Sequence, residues 1–354
     1  MFRRRSSEAG KNEAAAAGRH HGTAPAGRST DHGASHRPGP EAGGPGREAG
    51  DPGREAGGPG REAGDPGREQ DGPWGPPPAG LDVSLPHPAR VRNYWLGGRD
   101  FYAADKAAGE EIGREFPHLA EAARAERAFL VRAVRFLAGP ARIQQFLDVG
   151  SGLPAGGNTH EIAQGIAPDT RIVYADHDPA VILHAKTLLS NPMLASTREG
   201  AVYYADADLR DVAAVLAAAS TTLDPSRPVA LIMLGVLGHI GDFGAARSIT
   251  SQLMSELPAG SYLVIADGVA DSDSAVSAQR RYDASARPRY GASAPAPYRL
   301  RKPDELTSFF AGLDLTEPGV VPCPQWRPDG RGTSLPGGRD DAATTAYCGV
   351  ARKP

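Results

Sequence analysis

The sequence has few cysteines and no metal-binding motif, and these scarcities exclude two classes of protein. Two of its 354 residues are cysteines, Cys323 and Cys348, and neither belongs to a CxxC pair. The ten histidines show no HExxH spacing. A disulfide framework is therefore excluded, no metal site is predicted, and we expect the two thiols to be reduced.

Long apolar runs are also lacking. No run approaches the roughly 20 residues that a membrane-spanning helix requires. The basic N-terminus is not followed by the apolar segment of a secretory signal. We therefore expect a cytoplasmic protein without a membrane partner. The net charge is only −3, and opposite charges cancel within residues 1–80, so nucleic acid is not expected as a partner.

Residues 1–80 differ from the rest because they are rich in Gly, Pro, Glu and Arg. Five glutamates recur every seven residues: Glu41, Glu48, Glu55, Glu62 and Glu69. The first four begin Glu-Ala-Gly-(Gly/Asp)-Pro-Gly-Arg units, and Glu69 follows the last of these units. The units lack the apolar positions of a coiled coil, and glycine does not recur every third residue as in collagen. We predict a disordered tail, with a partner-binding arm as the alternative.

Strand and helix patterns alternate in the remaining chain. Apolar runs predict strands at 143–149, 171–176, 202–205, 229–234 and 261–267, with further strands near 313–321 and 345–350. Helical patterns lie between them and predict right-handed crossovers, hence a mostly parallel sheet with helices on both faces. The chain thus divides into the tail 1–80, a helical cover 81–140 and an α/β domain 141–354.

Three acidic features follow the first three predicted strands. Asp148 precedes the glycine turn Gly150-Ser-Gly152, Asp176 ends the second strand, and Asp208 follows the third. Ligands of such sheets bind beyond the carboxyl ends of the strands, where strand order reverses. A carboxylate at Asp176 suits ribose hydroxyls, and one at Asp208 suits the exocyclic amine of adenine. Together they indicate NAD, FAD, ATP or S-adenosylmethionine.

The glycine turn distinguishes between these candidate ligands. Gly150-x-Gly152-x-x-Ala155 matches the loose dinucleotide pattern, but Pro154 and several further loop residues precede the next helix. Asp148 would also repel a pyrophosphate, whereas it is compatible with a ligand that carries an ammonium and a sulfonium group. The GxxxxGK[ST] pattern of P-loop proteins is absent from the sequence.

Several stretches resemble a known family. Those at Phe146–Gly152, Val173–Pro179 and Ala207–Asp211 resemble motifs I, II and III of class I S-adenosylmethionine-dependent methyltransferases. Those at Arg92–Lys106, Gly157–Glu161 and Tyr347–Pro354 resemble an actinobacterial branch that was first catalogued as a domain of unknown function. That branch is now usually called S-adenosyl methyltransferase.

The resemblance implies a Rossmann-like α/β fold with a seven-stranded, mostly parallel sheet and a C-terminal antiparallel hairpin. It implies that domain 141–354 binds S-adenosylmethionine and methylates an unidentified small-molecule acceptor. An NAD-dependent oxidoreductase and a non-catalytic regulator that binds S-adenosylmethionine are the alternatives. The oligomeric state is not predicted.

The resemblance also assigns cofactor contacts. Gly150 and Gly152 approach the methionine part, Asp148 its ammonium group, Asp176 the ribose, and Asp208 with the backbone of Leu209 the adenine. Pro154 stands where the family has a third glycine, which leaves the path of the loop open. Asp206 competes with Asp208 for the adenine.

No catalytic residue is assigned, because an acidic acceptor needs no base. His239, after the fourth strand, holds the position of a general base or is structural. The aromatic cluster of Tyr94, Trp95, Phe101 and Tyr102 either covers the cofactor or packs on the sheet. Trp326 either lines the acceptor pocket or anchors a loop. The polar stretch 270–297 is predicted to be a substrate loop.

Overall fold

The computed structural model describes residues 82–189, 200–328 and 345–354, and the predicted repeat tail lies outside them. Its α-helices are α1 (Pro88–Trp95), α2 (Ala103–Glu115), α3 (Pro117–Ala138), α4 (Thr159–Ile166), α5 (Pro179–Leu189), α6 (Val212–Ser220), α7 (Phe243–Glu256), α8 (Asp273–Tyr290) and α9 (Pro303–Thr307). Its strands are β1 (Gln145–Val149), β2 (Arg171–Asp176), β3 (Val202–Asp206), β4 (Ala230–Leu234), β5 (Tyr262–Gly268), β6 (Asp314–Leu315), β7 (Val321–Pro322) and β8 (Ala346–Arg352). Short 3-10 turns span Leu237–His239, Gly291–Ser293, Ser308–Phe310 and Cys323–Gln325.

The strands form one sheet in the order β3-β2-β1-β4-β5-β8-β6, and β7 also pairs with β8. Strands β1 to β5 are parallel, whereas β8 runs antiparallel to β5, β6 and β7. The strand order reverses between β1 and β4, so a cleft opens beyond their carboxyl ends. The predicted α/β class, with a mostly parallel sheet and antiparallel C-terminal strands, is confirmed.

The described part of the sheet has eight strands rather than the predicted seven. The single strand predicted near 313–321 is divided into the two-residue strands β6 and β7. Pro318 between them has no N–H to donate to a ladder, and Gly319 turns the chain with a φ of +90°. The N–H of Gly319 closes this turn by donating to the carbonyl of Thr316 at 2.9 Å.

Helices cover both faces of the sheet. On one face Leu231 of β4 shares a buried cluster with Leu253 of α7. On the other face Ile232 of β4 shares a cluster with Phe129 of α3 and Ala163 of α4. Strand β4 is apolar throughout because both of its faces are buried, and each such side chain contributes roughly 1.5–3 kcal/mol.

Helices α1 and α2 pack against α8. Val91, Ile112 and Phe116 meet Ala286 and Tyr290 of α8 in a separate buried cluster.

A buried acid organises the polypeptide around α1. Asp105 in α2 is fully buried and accepts a hydrogen bond of 2.8 Å from Nε of Arg90. It also accepts from the backbone N–H groups of His87 and Tyr102, each at 2.8 Å. Because several donors compensate the buried charge, Asp105 fixes the start of α1 relative to α2.

The predicted substrate loop at 270–297 is wrong, because most of this stretch forms α8. The hydroxyl of Ser272 caps the helix by accepting from the N–H of Ala275 at 3.2 Å. Ala275, Ala286 and Tyr290 form a sparse buried stripe on an otherwise polar helix. Their spacing satisfies helical periodicity, but the polar majority conceals it.

Trp326 lies in the core. It is fully buried and packs edge-on against Phe129 and Phe136, with ring centroids 5.3 and 6.0 Å away. Nε of Arg132 donates to its carbonyl at 2.9 Å. The prediction that Trp326 anchors a loop is therefore confirmed, and the acceptor-pocket alternative is wrong.

Among the described helices, none is both long and apolar enough to cross a bilayer.

Candidate active site

The chain turns sharply after β1 at Gly150, whose φ is +71°. A Cβ at Gly150 would collide with the side chain of Val236, which follows β4. The N–H of Gly150 donates to the carbonyl of Ala175 at 2.7 Å. At Gly152, by contrast, a Cβ would meet nothing within 4 Å. Packing therefore fixes the turn at Gly150, and the backbone at Gly152 has an open side from which a ligand can approach.

Asp176 joins the end of β2 to this turn. Its Oδ2 accepts from the N–H of Gly152 at 2.8 Å, and its Oδ1 accepts from the N–H of Asp178 at 2.9 Å. Burial raises the pKa of Asp176, while these two hydrogen bonds oppose that effect. Each oxygen keeps a lone pair for a further donor, which is the arrangement that two vicinal hydroxyls require.

Asp148 lies beneath the turn and is 7% exposed. Its Oδ2 accepts from the hydroxyl of Thr159, the first residue of α4, at 2.7 Å. Burial raises the pKa of Asp148 to about 6, although the Thr159 hydrogen bond and the charge of Arg127 lower it. No sequence pattern predicted the contact with Thr159, because the two residues come together only when α4 packs on the sheet.

The adenine candidates follow β3. Asp208 is bound by the guanidinium of Arg210, with Nε at 2.9 Å from Oδ1 and Nη2 at 2.6 Å from Oδ2. These hydrogen bonds lower the pKa of Asp208. Leu209 is buried, and Asp206 is the exposed last residue of β3. The structure therefore leaves Asp208 partly accessible, with Arg210 as its present partner.

Asn93 fixes the loop after Gly152, although it lies far away in the sequence. Asn93 of α1 is 1% exposed, and its Nδ2 donates to the carbonyl of Pro154 at 2.6 Å. Its Oδ1 accepts from the N–H of Asp100 at 2.9 Å. The loop at Pro154 is thus held by the N-terminal helical region.

Arg127 of α3 holds the next part of this loop. Its Nη2 donates to the carbonyl of Ala155 at 2.7 Å and to Oδ1 of Asn158 at 2.6 Å. The capping box predicted at Asn158 is present, because the side chain of Glu161 accepts a hydrogen bond from the N–H of Asn158 at 2.9 Å. The capping prediction is confirmed, whereas Arg127 and Asn93 had no local sequence signal.

The aromatic cluster packs within α1, α2 and the turn between them. The rings of Tyr94 and Phe101 meet edge-on at 5.1 Å. Nε1 of Trp95 donates to the carbonyl of Gly109 in α2 at 3.0 Å. The guanidinium of Arg90 lies 5.6 Å from the centroid of the Tyr102 ring. These contacts favour packing over a cofactor cover, but the cluster packs on α2 and not on the sheet as predicted. They hold α1 where Asn93 reaches the loop.

The carboxyl ends of β4 and β5 carry a second group of charges. Nη2 of Arg92 lies 2.6 Å from Oε2 of the buried Glu126, beside Gly235 at the end of β4. Asp267 in β5 is 1% exposed. Burial and the charge of Glu126 raise the pKa of Asp267 to about 8, although Arg301 lowers it. The acid is therefore mostly protonated at neutral pH.

His239 is exposed in the 3-10 turn after β4. Its ring lies edge-on against Tyr298, with centroids 4.9 Å apart. Desolvation by the surrounding atoms and the charges of Arg92 and His177 lower the pKa of His239. The imidazole is therefore neutral at physiological pH.

Among the described residues, no group of three or more His, Cys, Asp or Glu side chains is arranged to hold a metal ion.

A family model described as S-adenosyl methyltransferase matches residues 75–354. The chain belongs to the S-adenosyl methyltransferase family. It is similar to a crystal structure of a DUF574 family protein from Streptomyces avermitilis, with 42% identity, 77% of this chain and 99% of that chain covered, and a TM-score of 0.66. A candidate methyltransferase from Thermobifida fusca has 36% identity, with 78% and 98% coverage and a TM-score of 0.63. No protein of curated function matches the chain.

Membership decides the cofactor class. This S-adenosyl methyltransferase is an S-adenosylmethionine-dependent methyltransferase, as the glycine turn and the resemblance predicted. The NAD-dependent oxidoreductase alternative is set aside, in agreement with the open loop around Pro154. The assignment of individual cofactor contacts stays a prediction.

Proposed function

We propose that this S-adenosyl methyltransferase transfers a methyl group to a small-molecule acceptor bound beyond the carboxyl ends of β4 and β5. The observation that carries the proposal is the hydrogen bond of 2.8 Å between the N–H of Gly152 and Oδ2 of Asp176. It joins the glycine turn to the ribose candidate, so both can contact one ligand that lies across the ends of β1 and β2.

The residues at this edge of the sheet fit the cofactor. A side chain is excluded at Gly150, and the open side of Gly152 leaves room for a ligand against the backbone. The proposed contacts are those predicted from the sequence: Asp148, Gly150, Gly152, Asp176, Asp208 and Leu209. When bound, S-adenosylmethionine supplies a methyl group made electrophilic by its sulfonium, and the protein supplies position and a site shielded from water.

The surroundings favour a small acceptor. Asn93 of α1 bonds to the carbonyl of Pro154, and Arg92 lies beside Gly235. The ring of Tyr298 occupies the space above Gly238. Side chains from α1 and from the segment after α8 therefore lie over the ends of β1 and β4. They narrow the cleft, which disfavours a macromolecular acceptor and limits the access of water to the site.

Calorimetric titration with S-adenosylhomocysteine, S-adenosylmethionine and NAD tests the cofactor assignment. We expect Asp176→Ala to weaken S-adenosylhomocysteine binding roughly 10- to 100-fold, since it removes hydrogen bonds of about 1.5–3 kcal/mol. Binding of NAD alone by the unaltered protein would overturn the proposal.

Asp208→Ala and Asp206→Ala form a matched pair for the adenine. We expect about a tenfold loss for Asp208→Ala and no loss for Asp206→Ala, and the reverse result assigns the adenine to Asp206. Transfer is then measured as S-adenosylhomocysteine released in the presence of phenols, alcohols, amines and carboxylic acids. Binding without release from any of them supports the regulator alternative.

A further inference from the structure

The turn of residues 235–241, which we call the His239 turn, is held by side chains from β5 and from the segment after α8. Oδ2 of Asp267 accepts from the N–H of Gly238 at 3.1 Å. Nη2 of Arg301 donates to the carbonyl of Ile240 at 2.7 Å. Nη1 of Arg299 donates to the carbonyl of Gly241 at 2.8 Å. The backbone of this turn is therefore held on both sides of His239.

Two of these side chains, Asp267 and Arg301, are buried next to each other at a cost in free energy. Asp267 and Arg301 are each 1% exposed, and Nη1 of Arg301 lies 4.0 Å from Oδ2 of Asp267. Within the described residues, Nε and Nη1 of Arg301 have no hydrogen-bond partner. Burying a guanidinium whose hydrogen bonds are incomplete costs free energy, and the neighbouring acid compensates it only in part because burial raises the pKa of Asp267 to about 8. Each of the two side chains also forms one hydrogen bond to the His239 turn, so the pair helps to hold this turn in position.

The turn places an imidazole at the cleft. Tyr298 fills the space that a side chain on Gly238 would need, and it packs against the ring of His239. The backbone of Ala296 lies near enough to the ring to raise the pKa of His239, against the larger effects that lower it. A neutral imidazole has one donor and one acceptor nitrogen, and the acceptor nitrogen can take a proton.

The charged neighbours of His239 come from several elements. The positive charges of Arg92 of α1 and His177 after β2 disfavour the imidazolium form of His239. The titratable Asp267 of β5 lies behind the turn, and Glu126 of α3 forms an ion pair with Arg92. The ring is thus held neutral and fixed, as a proton acceptor must be before the reaction.

We propose that His239 is the general base of the methyl transfer and that Asp267 and Arg301 are its positioning residues. The proposal rests on the proposed function, and it narrows the acceptor to a hydroxyl or amine that is not ionised at neutral pH. The acceptor atom donates a lone pair to the methyl carbon, and the carbon–sulfur bond breaks with its electron pair staying on sulfur. The proton of the acceptor atom passes to the free nitrogen of His239, which later releases it to water.

A measurement that needs no acceptor tests this geometry. S-adenosylmethionine and S-adenosylhomocysteine differ by one methyl group and one positive charge, at the reacting sulfur. The proposal requires the imidazole to lie within about 6 Å of the sulfonium, and a unit charge at that distance changes a pKa by about two units for an effective dielectric constant of about 20. Water in the cleft reduces this effect, so we expect the pKa of His239 to be about one unit lower with S-adenosylmethionine bound.

The pKa is followed by NMR titration of the imidazole proton signals of the full chain. His239→Gln assigns the signal by its loss, and His118, which packs beside Phe116 at the start of α3, is the internal control. Equal pKa values of His239 in the two complexes overturn the proposal. Failure of either ligand to bind is seen separately by calorimetry and overturns the proposed function instead.

The positioning role has its own measurement. Asp267→Ala should bind S-adenosylhomocysteine within about threefold of the unaltered protein, but the difference between the two His239 pKa values should shrink by at least half. Asp267→Asn keeps the shape of the side chain and one acceptor oxygen, so it should preserve most of the difference between the two pKa values. It replaces Asp267→Ala in the measurement if Asp267→Ala does not fold. An undiminished difference in Asp267→Ala overturns the assignment of Asp267.

Discussion

The side-chain amide of Asn93 donates a hydrogen bond of 2.6 Å to the carbonyl of Pro154, 61 positions further along the chain. The same side chain accepts from the N–H of Asp100, so one buried residue joins α1, the following turn and the glycine loop. The α/β repeat alone does not determine the path of this loop. The N-terminal helices therefore contribute to the candidate cofactor site through a backbone contact.

Asn93→Ala should weaken S-adenosylhomocysteine binding by roughly tenfold. The substitution leaves the carbonyl of Pro154 and the N–H of Asp100 without partners, at about 1–3 kcal/mol for each buried group, and it loosens the loop. Calorimetric titration measures the loss. Tyr94→Phe is the control, because it removes only the long hydrogen bond of 3.3 Å from the Tyr94 hydroxyl to Glu110. Similar affinities for both variants would contradict the role of Asn93.

Asp148→Asn should stabilise the protein more at pH 7 than at pH 4.5. The pKa of Asp148 is raised from 3.8 to about 6, so between these values the folded chain binds more protons than the unfolded chain. The free energy of unfolding therefore falls as pH rises through this window, by up to about 3 kcal/mol. Thermal unfolding of both proteins at several pH values measures the difference. A constant difference across the window would show that Asp148 is not destabilised by its burial.

Arg210→Gln should bind S-adenosylhomocysteine up to about fivefold more tightly at low salt. Arg210 is 64% exposed at its side chain and occupies both carboxylate oxygens of Asp208, so it competes with an adenine amine. Exposed pairs contribute only about 0–1 kcal/mol, which limits the gain. The gain should disappear at high salt. Arg114→Gln, at an exposed position of α2, is the control, and weaker binding by Arg210→Gln would mean that Arg210 orients Asp208 for its ligand.

Lys353→Met should lower the free energy of unfolding by about 1–3 kcal/mol without changing cofactor affinity. Nζ of Lys353 donates to the carbonyls of Met254 and Ser255 at 2.8 and 3.0 Å, near the end of α7. The carbonyl of Met254 otherwise accepts only a long hydrogen bond of 3.3 Å from the N–H of Leu257, and carbonyls in the last turn of a helix lack i+4 partners. A cation near them also interacts favourably with the helix dipole. Urea unfolding measures the change. Lys106→Met, in an exposed pair of 4.0 Å with Glu110, should change stability by less than about 0.5 kcal/mol.

The parallel strands were predictable because they are short apolar runs between turns. The predicted strand 171–176 coincides with β2, and β4 and β5 begin one residue later than predicted. Helix α8 was missed because its buried residues are few and their partners, such as Phe116, lie far away in sequence. Asp176 could be placed beside Gly152 since both stand at the ends of adjacent parallel strands. Thr159, Asn93 and Arg127 could not, because their contacts depend on how α1, α3 and α4 pack.

The late position of β8 has a consequence for folding. β8 follows every other described strand in the chain, yet it lies between β5 and the short strands β6 and β7. Until β8 arrives, β5 has an unpaired edge, and closing such a long loop is slow. An open edge on an apolar strand is a template for a second chain. The refolding yield should therefore fall as the protein concentration rises, because the open edge of β5 in one chain pairs with a strand of a second chain before its own β8 can pair.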